Sequence, residues 1–192
     1  MSRLIYTVGP SGAGKDSLLG WLRAKLPPHA PIHLARRTVS RPAQAGGEPH
    51  ESVDASEFEY LRARKAFAFD WTANELQYGI REAELAPLQD GAWVLVNGSR
   101  AHLPQAARKF PGLTVLHITA SADTLRQRLL SRGRETPEMV EARIARAAHL
   151  AWPTGTGAIE IHNDSTLDAA GTQLLDALES LEGWPKKLAE MC

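Results

Sequence analysis

Short apolar runs alternate with helical patterns along the whole chain. Nearly continuous apolar runs predict buried strands at residues 4–8, 93–96 and 113–118, with further strands at 32–35 and 158–161. Apolar residues at helical spacing predict helices at 18–26, 136–148 and 167–181. Strands that alternate with helices indicate an α/β fold in which a parallel sheet is covered on both faces.

The segment after the second predicted strand has a different pattern. Residues 37–54 are rich in proline and glycine, which predicts an ordered loop. Three elements are predicted after it: a helix from the Asp54-x-x-Glu57 capping box to about Lys65, a hairpin of 66–71 and 76–80 around Asn74, and a helix over 81–88. This part of the chain therefore interrupts the regular alternation of the parallel sheet.

Composition narrows the class of protein. The chain has 192 residues, 43% of them apolar, with 22 basic and 22 acidic side chains. That length suits one domain, and zero net charge argues against a protein that coats nucleic acid nonspecifically. Cys192 is the only cysteine, so an internal disulfide or a zinc site with paired cysteines is excluded. No apolar run reaches membrane-helix length and the start has no secretory pattern, so we expect a cytoplasmic protein without a membrane partner.

The first predicted strand leads into a phosphate-binding motif. Residues 9–15 fit G-x-x-x-x-G-K and comprise Gly9, Pro10, Ser11, Gly12, Ala13, Gly14 and Lys15. Glycines let the backbone wrap a phosphate, and the following helix N-terminus supplies N–H donors. Lys15 can neutralise the β- and γ-phosphates during transfer. A glycine-rich turn with a chance lysine is the weaker alternative, because strand, spacing and helix all agree.

The residue after Lys15 departs from the motif. Asp16 stands where a serine or threonine hydroxyl would contact Mg²⁺, and Ser17 follows it. No apolar strand ends in the acid that often supports the metal, since residues 94–96 lead into Asn97. Mg²⁺ takes much of its coordination from water and substrate phosphates. Two interpretations stay open: Asp16 holds Mg²⁺ through water, or it is a favourable acid in the first turn of a helix.

A cluster of arginines predicts a lid. Six arginines and no lysine fall within 21 residues, at Arg126, Arg128, Arg132, Arg134, Arg143 and Arg146. Guanidinium groups bind phosphate oxygens bidentately. Gly133 indicates a bendable loop between two helices, which could close over ATP and exclude water. An arginine-rich surface helix pair is the alternative interpretation.

These motifs together resemble guanylate kinase over nearly the whole chain. The resemblance rests on the P-loop, Ser40-Arg41-Pro42, Glu57-Phe58, Tyr78-Gly79, the arginine segment, and Asn163-Asp164. It implies a three-layer P-loop NTPase fold with one domain over 1–192, an acceptor-binding lobe at about 36–90 and a lid at about 126–148. It also implies ATP and Mg²⁺ as cofactors.

Longer strings are similar to the ribose 1,5-bisphosphate phosphokinases of phosphonate catabolism. They lie at 14–19, 94–106, 125–129, 132–135 and 142–148. In that family Asp follows the P-loop lysine, as it does here. The implied reaction converts ATP and α-D-ribose 1,5-bisphosphate to ADP and 5-phosphoribosyl 1-diphosphate. A phosphate oxygen is the nucleophile and is already largely ionised near neutral pH, so no general base is required.

The resemblance also implies roles for individual residues. The expected catalytic groups are Lys15, Arg132 and Arg143, supported by Arg134 and Arg146. The expected ATP-binding groups are residues 9–17 with Arg128, and Asn163 against adenine. The expected acceptor groups are Arg41, His50 and Tyr78 for phosphate, and Asn97, Ser99 and Arg100 for the ribose or its 5-phosphate. Ser99 and Arg100 could instead be a helix cap and a surface charge, and Asn163 a loop residue.

Several positions depart from the guanylate kinase pattern. A second arginine is replaced by Gln44, a phosphate-binding tyrosine by His50, a guanine-reading aspartate by Asn97, and a hydroxyl residue by Ile80. Loss of an acceptor for a base N–H should remove base recognition, which favours a base-free sugar phosphate. Two alternatives remain: a guanylate or other nucleoside monophosphate kinase, and a non-catalytic guanylate-kinase-like binding module.

The remaining residues of note have simpler predicted roles. His102 and His117 are expected to be structural, and the tryptophans to pack in the core or lobe, with Trp71 nearest the acceptor pocket. The expected partners are two small molecules, ATP and ribose 1,5-bisphosphate. A dimer is one open alternative for the oligomeric state.

Overall fold

A computed structural model describes residues 2–41, 50–133, 136–149 and 157–185, except for the side chains of 147–149. In chain order its elements are β1 (Leu4–Val8), α1 (Lys15–Lys25), β2 (Ile32–Leu34), β3 (Arg37–Val39), β4 (His50–Ser52), α2 (Ala55–Ala63), β5 (Phe67–Ala73), β6 (Leu76–Arg81), α3 (Glu82–Leu85), a 3-10 turn (Ala86–Leu88), β7 (Trp93–Asn97), α4 (Leu103–Lys109), β8 (Thr114–Thr119), α5 (Ala122–Ser131), α6 (Pro137–His149), β9 (Ile159–His162) and α7 (Leu167–Glu179).

The main sheet is parallel and has the order β2-β7-β1-β8-β9. Its central strand β1 is fully buried, as the continuous apolar run predicts. Separate apolar clusters cover its two faces, one with leucines of α1 and α7 and the other with residues of α4. The predicted α/β fold with a sheet covered on both faces is therefore confirmed.

Two neighbouring strands bring polar residues to one edge of this sheet. β1 pairs with β7 so that Thr7 lies opposite Asn97, at the carboxyl end of both strands. The chain leaves β1 into the glycine-rich turn and leaves β7 toward Ser99 and Arg100. Parallel sheets place ligands at this edge. The fold thus brings the P-loop and the Asn97 segment together.

A second, four-stranded sheet has the order β4-β3-β6-β5. It corrects the prediction that 37–54 is a loop, since β3 and β4 lie inside that range; residues 42–49 lie outside the described part of the chain. Both strands have only three residues, too few for a period-2 pattern to show in the sequence. Glu51 of the edge strand β4 accepts two hydrogen bonds from Arg81 of β6 and one from Thr38 of β3, so it connects the edge strand to both of these strands.

The predicted helix start at Asp54 and the predicted hairpin are confirmed. The Asp54 carboxylate accepts a hydrogen bond from the Glu57 backbone N–H at 2.8 Å and begins α2. β5 and β6 form an antiparallel hairpin around Asn74 and Glu75, which have φ values of 48° and 61°. Left-handed backbone is tolerated by asparagine in such turns.

The arginine segment forms two helices, as predicted. α5 ends at Ser131, Gly133 has a φ of 60°, and α6 begins at Pro137. Residues 134–135, including the predicted catalytic Arg134, lie outside the described part of the chain. Within the described residues, no helix is long and apolar enough to cross a membrane.

Candidate active site

The P-loop connects β1 to the start of α1. The ammonium of Lys15 donates to the carbonyl oxygens of Gly9 at 2.9 Å and Pro10 at 3.1 Å, so the side chain folds back across the loop. Gly14 has a φ of 86°, and a Cβ there would overlap the amide nitrogen of Asn163. The tight approach of the loop to its neighbours explains the need for glycine at this position.

Positive charge surrounds Lys15. Burial lowers the pKa of Lys15 to about 8; Asp16 opposes this shift, while Arg37, Arg100 and Arg132 add to it. Three arginines from distant parts of the sequence thus act on one lysine. Such an excess of cations is a site for an anion, whose charge would reverse the shift.

Asp16 lies between the P-loop and the smaller sheet. Its Oδ1 accepts a hydrogen bond from the amide nitrogen of Asn97 and an ion pair from Arg37 at 3.3 Å. The Asp16 side chain remains 49% exposed, whereas that of Arg37 is 12% exposed. Asn97 is buried, and its Oδ1 has no hydrogen-bond partner within the described residues.

The oxygen groups near Asp16 are compatible with Mg²⁺. A half-exposed carboxylate and a buried amide oxygen lie beside the phosphate cradle, and Mg²⁺ needs only one or two protein oxygens when phosphates and water supply the rest. Over the described part of the chain, no group of three or more His, Cys, Asp and Glu could hold a metal alone. The role of Asp16 toward Mg²⁺ stays a prediction.

The lid helices direct two arginines at the P-loop. Arg128 of α5 donates to the Gly12 carbonyl at 3.4 Å. Arg143 of α6 donates to the Ser11 hydroxyl at 3.3 Å and also to the Asn74 side-chain oxygen at 3.1 Å. Arg143 therefore connects the lid, the P-loop and the hairpin of the smaller sheet.

The other described lid arginines differ in their surroundings. Arg132, exposed at the end of α5, lies close enough to Lys15 to act on it electrostatically. Arg146 is exposed on α6, and its predicted role stays a prediction. Arg126 of α5 forms ion pairs with Asp123 of the same helix and with Glu141 of α6, so it connects the two helices. Part of the arginine cluster is thus structural.

A cavity of about 290 Å³ lies beside the P-loop, against the start of α1 and the end of α5. Its lining includes Gly12, Gly14, Ser17, Arg128, Arg132 and Asn163. Asn163 is buried, and its amide nitrogen donates to the Ala13 carbonyl at 2.8 Å. This contact fixes the P-loop from the far edge of the sheet; the predicted contact of Asn163 with adenine stays a prediction.

Two of the predicted acceptor residues, His50 and Tyr78, lie on one face of the smaller sheet together with Arg37 and Trp71. His50 pairs with Arg37 across β4 and β3, and Tyr78 pairs with Trp71 across β6 and β5. The guanidinium of Arg37 lies 5.5 Å from the Tyr78 ring centroid, and the Tyr78 and Trp71 rings stack at 5.7 Å. We call these four residues the acceptor row.

Arg41 lies near one end of the acceptor row and His102 at the other. Burial lowers the pKa of His50, and the charge of Arg41 lowers it further. His102 of the segment before α4 stacks on Trp71 at 5.8 Å. At the pH of the cell His50 is therefore mostly neutral and can serve as a hydrogen-bonding group.

Ser99 and Arg100 follow β7 at the edge where the P-loop lies. The Ser99 backbone N–H donates to the Tyr6 hydroxyl at 3.2 Å, and Gly98 packs directly on the Tyr6 ring, where a Cβ would overlap it. Burial lowers the pKa of Arg100, and its charge acts on Lys15. The segment is thus held firmly, with a cation near the P-loop.

Two residues of this site carry no motif in the sequence. Arg37 reaches Asp16 and Tyr78, and Asn74 reaches Arg143. The single local signal for Arg37 is a basic pair directly after the second predicted strand. For Asn74 the hairpin turn is predicted, but the lid partner is 69 residues away in sequence.

The fold and the site define the class of this protein. A solved guanylate kinase from Anaplasma phagocytophilum has the same fold, with a TM-score of 0.60 and 17% identity, over 96% of this chain and 87% of that one. No protein-family model matches the chain. With a G-x-x-x-x-G-K loop between the central strand and the first helix of a parallel sheet, the protein is a P-loop protein of the guanylate-kinase-like fold.

Curated relatives define the family. A ribose 1,5-bisphosphate phosphokinase PhnN from Thiobacillus denitrificans is 38% identical over 188 residues, covering 97% of this chain and 98% of the relative. Another, from a Janthinobacterium species, is 43% identical over 176 residues; the match covers 92% of this chain and only 39% of that longer relative. The chain belongs to the ribose 1,5-bisphosphate phosphokinase family.

Proposed function

We propose that this enzyme transfers the γ-phosphoryl group of ATP to α-D-ribose 1,5-bisphosphate, giving 5-phospho-α-D-ribose 1-diphosphate and ADP in phosphonate catabolism. The observation that carries the proposal is the position of Lys15, whose charge is coupled to Arg132 of the lid, Arg37 of the smaller sheet and Arg100 after β7. Cations from three parts of the chain suit two phosphorylated substrates that must approach each other. With ATP as donor, we place the reaction in the cytoplasm.

The transfer needs no general base from the protein, because the attacking phosphate oxygen is already ionised. An oxygen of the acceptor 1-phosphate attacks the γ-phosphorus, a new P–O bond forms, and the bond from the γ-phosphorus to the β,γ-bridging oxygen breaks. The electron pair of that bond leaves with ADP. The enzyme has to align two anions and cancel their repulsion, which is electrostatic and positional work.

On the donor side, the backbone N–H groups of residues 9–14 and the N-terminus of α1 would hold the phosphates of ATP. Ser17, Arg128 and Asn163 line the adjoining cavity, which suits the nucleoside part. Lys15, Arg132 and Arg143 would contact the transferring group, with Arg134 and Arg146 in support. Arg143 already lies against Ser11 of the P-loop.

Asp16 would hold Mg²⁺ through water beside the buried amide of Asn97. Bound there, the ion would neutralise charge on the β- and γ-phosphates. The carboxylate keeps its position because Asn97 and Arg37 both donate to it. Asp16 thus provides a carboxylate at the position where the usual motif has a hydroxyl.

On the acceptor side, Arg41, His50 and Tyr78 would bind phosphate, and Asn97, Ser99 and Arg100 the ribose or its 5-phosphate. Asn97 has an amide where the guanylate kinase pattern has the guanine-reading carboxylate, and its amide nitrogen already donates to Asp16. This difference favours a sugar phosphate over a nucleotide.

The test is ADP release by the purified enzyme with ribose 1,5-bisphosphate or GMP as acceptor. We expect a kcat/KM for ribose 1,5-bisphosphate at least about 10²-fold above that for GMP, the range that an unmatched polar recognition group produces. Lys15→Ala should lower turnover by about 10²-fold or more. Lys25→Ala, which removes an exposed lysine at the end of α1, is the matched control and should leave turnover unchanged. A preference for GMP would contradict the proposal.

A further inference from the structure

Tyr6 belongs to β1, the strand that leads into the P-loop, although no motif contains it. Its side chain is fully buried. The hydroxyl accepts a hydrogen bond from the Ser99 backbone N–H at 3.2 Å and donates one to the Ser99 carbonyl oxygen at 3.4 Å. A tyrosine hydroxyl can do both at once. One side chain of the central strand is therefore bonded to both backbone groups of a residue on the proposed acceptor side.

These hydrogen bonds begin where the backbone pairing of β1 and β7 ends. The last pair in register is Thr7 with Asn97, and the Gly98 N–H donates to the Thr7 carbonyl at 2.8 Å. The next N–H along the chain, that of Ser99, donates to the Tyr6 hydroxyl instead. Backbone groups that are withdrawn from water need such a partner. Tyr6 therefore extends the connection between β1 and β7 into the segment that follows the strand.

The ring of Tyr6 is itself held in place from two sides. Gly98 packs on the ring so closely that an added Cβ would overlap it, and Phe69 of β5 packs edge-on at 5.5 Å between ring centroids. Burial raises the pKa of Tyr6, and the hydrogen bond to Ser99 opposes this shift only in part. The hydroxyl therefore stays protonated around neutral pH and keeps its proton for the Ser99 carbonyl.

The segment that Tyr6 holds carries a cation toward the P-loop. Arg100 follows Ser99 directly, and its charge acts on Lys15. The Ser99 carbonyl also accepts the His102 backbone N–H at 3.1 Å, in the turn that precedes α4. A shift of Ser99 would thus move Arg100 relative to the P-loop.

We propose that Tyr6 is a positioning residue for the acceptor, because its hydroxyl fixes Ser99 and Arg100 where they bind the sugar phosphate. The inference rests on the proposed function, in which these two residues contact the ribose or its 5-phosphate. Tyr6 contacts neither substrate, since its side chain is fully buried, and it acts through the backbone of Ser99. The strand that carries the P-loop then also sets the acceptor side.

The test variant is Tyr6→Phe, which removes the hydroxyl and keeps the ring that packs against Gly98 and Phe69. Trp93→Phe is the matched control for a general loss of stability. Trp93 is buried at the opposite end of β7, and its Nε1 donates to the Gly183 carbonyl at 3.0 Å. Calorimetry without nucleotide gives the Kd of ribose 1,5-bisphosphate, a separate titration gives the Kd of ATP, and thermal melts compare stability.

We expect the Kd of the bisphosphate to rise about 3- to 10-fold in Tyr6→Phe, the range for a backbone group that loses its partner. The Kd of ATP should change by less than about twofold. Tyr6→Phe and Trp93→Phe should both melt at a lower temperature than the wild type, but Trp93→Phe should bind both substrates normally.

Hydrogen exchange of the Ser99 amide gives a second measurement that does not depend on a substrate. This amide should be protected in the wild type and should exchange at least about tenfold faster in Tyr6→Phe, because its partner is gone. If Tyr6→Phe fails to fold, the wild-type exchange decides, since an unprotected Ser99 amide contradicts the tether and a protected one supports it.

Two results would overturn the assignment. One is bisphosphate affinity in folded Tyr6→Phe within about 1.5-fold of wild type. The other is an equal loss of ATP and bisphosphate affinity, or the same loss of bisphosphate affinity in Trp93→Phe, because either would indicate general destabilisation. Wild-type turnover is measured in the same series: its absence contradicts the proposed function and this inference together, whereas turnover with an unchanged Tyr6→Phe contradicts this inference alone.

Discussion

The residues of the P-loop have their properties set by distant parts of the chain. Gly14 is confined by Asn163, Lys15 carries a lowered pKa because of burial and three arginines, and Asp16 is held by Asn97. None of these partners lies within twenty residues of the loop. The motif therefore gives the backbone shape, and the fold supplies the electrostatics.

The pKa of Lys15 makes ATP binding depend on pH. Without nucleotide, the ammonium keeps its charge below about pH 8 and loses it as the pH rises through that value. Phosphates favour the charged form, so ATP raises the pKa and its binding takes up a proton. We expect calorimetry at pH 8.5, in buffers with different ionisation enthalpies, to show net proton uptake and an affinity that weakens above pH 8.

The control for this measurement is Lys15→Ala, in which proton uptake at pH 8.5 should disappear. An ATP affinity that stays constant between pH 7 and 9, with no proton taken up, would show that Lys15 remains charged throughout. It would then contradict the view that the cluster of cations around the P-loop is poised for an anion.

The requirement for glycine at position 14 can be tested by alanine substitution, with an uncrowded glycine of the same helix as the control. A methyl group at Gly14 meets the Asn163 amide and a backbone φ of 86°, so Gly14→Ala must distort the P-loop or displace Asn163. We expect ATP affinity to fall at least about tenfold, the effect of losing about 1.4 kcal/mol of binding free energy. The measurement is a direct nucleotide titration.

Gly20→Ala is the matched control, because Gly20 lies on the exposed side of α1 with no atom within 4 Å of an added Cβ. That variant should bind ATP normally and gain about 0.5–1 kcal/mol of stability from its better helix propensity. Equal ATP affinities in the two variants would mean that the loop does not require glycine at position 14.

At the scale of elements, one side chain joins three parts of the site. Arg143 of α6 contacts Ser11 of the P-loop and Asn74 of the β5–β6 turn, while Arg126 holds α6 to α5. Helix α6 therefore contacts both the P-loop and the hairpin of the smaller sheet through this one side chain. Asn74 is a positioning residue in this arrangement, since it acts through Arg143.

Asn74→Gly tests this connection without straining the turn, because glycine adopts the same left-handed backbone. The variant loses one charged hydrogen bond, so kcat should fall about 3- to 10-fold, while the Kd of ATP changes little. In an Arg143→Ala background the same substitution should cost nothing further. Additive losses in the double variant would show that Asn74 acts independently of Arg143.

At the scale of the whole molecule, apolar runs and motif spacing predicted the main sheet. Contacts between residues that are distant in sequence could not be predicted in this way. Strands such as β1 and β7 are continuous apolar runs, and the P-loop has a fixed spacing, so both can be read from the chain. The strands β3 and β4 are short and polar, and Arg37 gains its partners only when α1 and the smaller sheet meet. The arginine segment predicted the helices α5 and α6 but did not separate Arg126, which pairs with Asp123 and Glu141, from Arg143, which contacts the P-loop.

The most direct test of the central claim is ³¹P NMR of the reaction of ATP with ribose 1,5-bisphosphate. Transfer to the 1-phosphate makes a sugar diphosphate, so the account predicts two coupled diphosphate resonances that grow as those of ADP appear, with the 5-phosphate signal retained. Release of inorganic phosphate alone, or a spectrum in which the 1-phosphate signal persists while GMP is converted to GDP in a parallel sample, would contradict it.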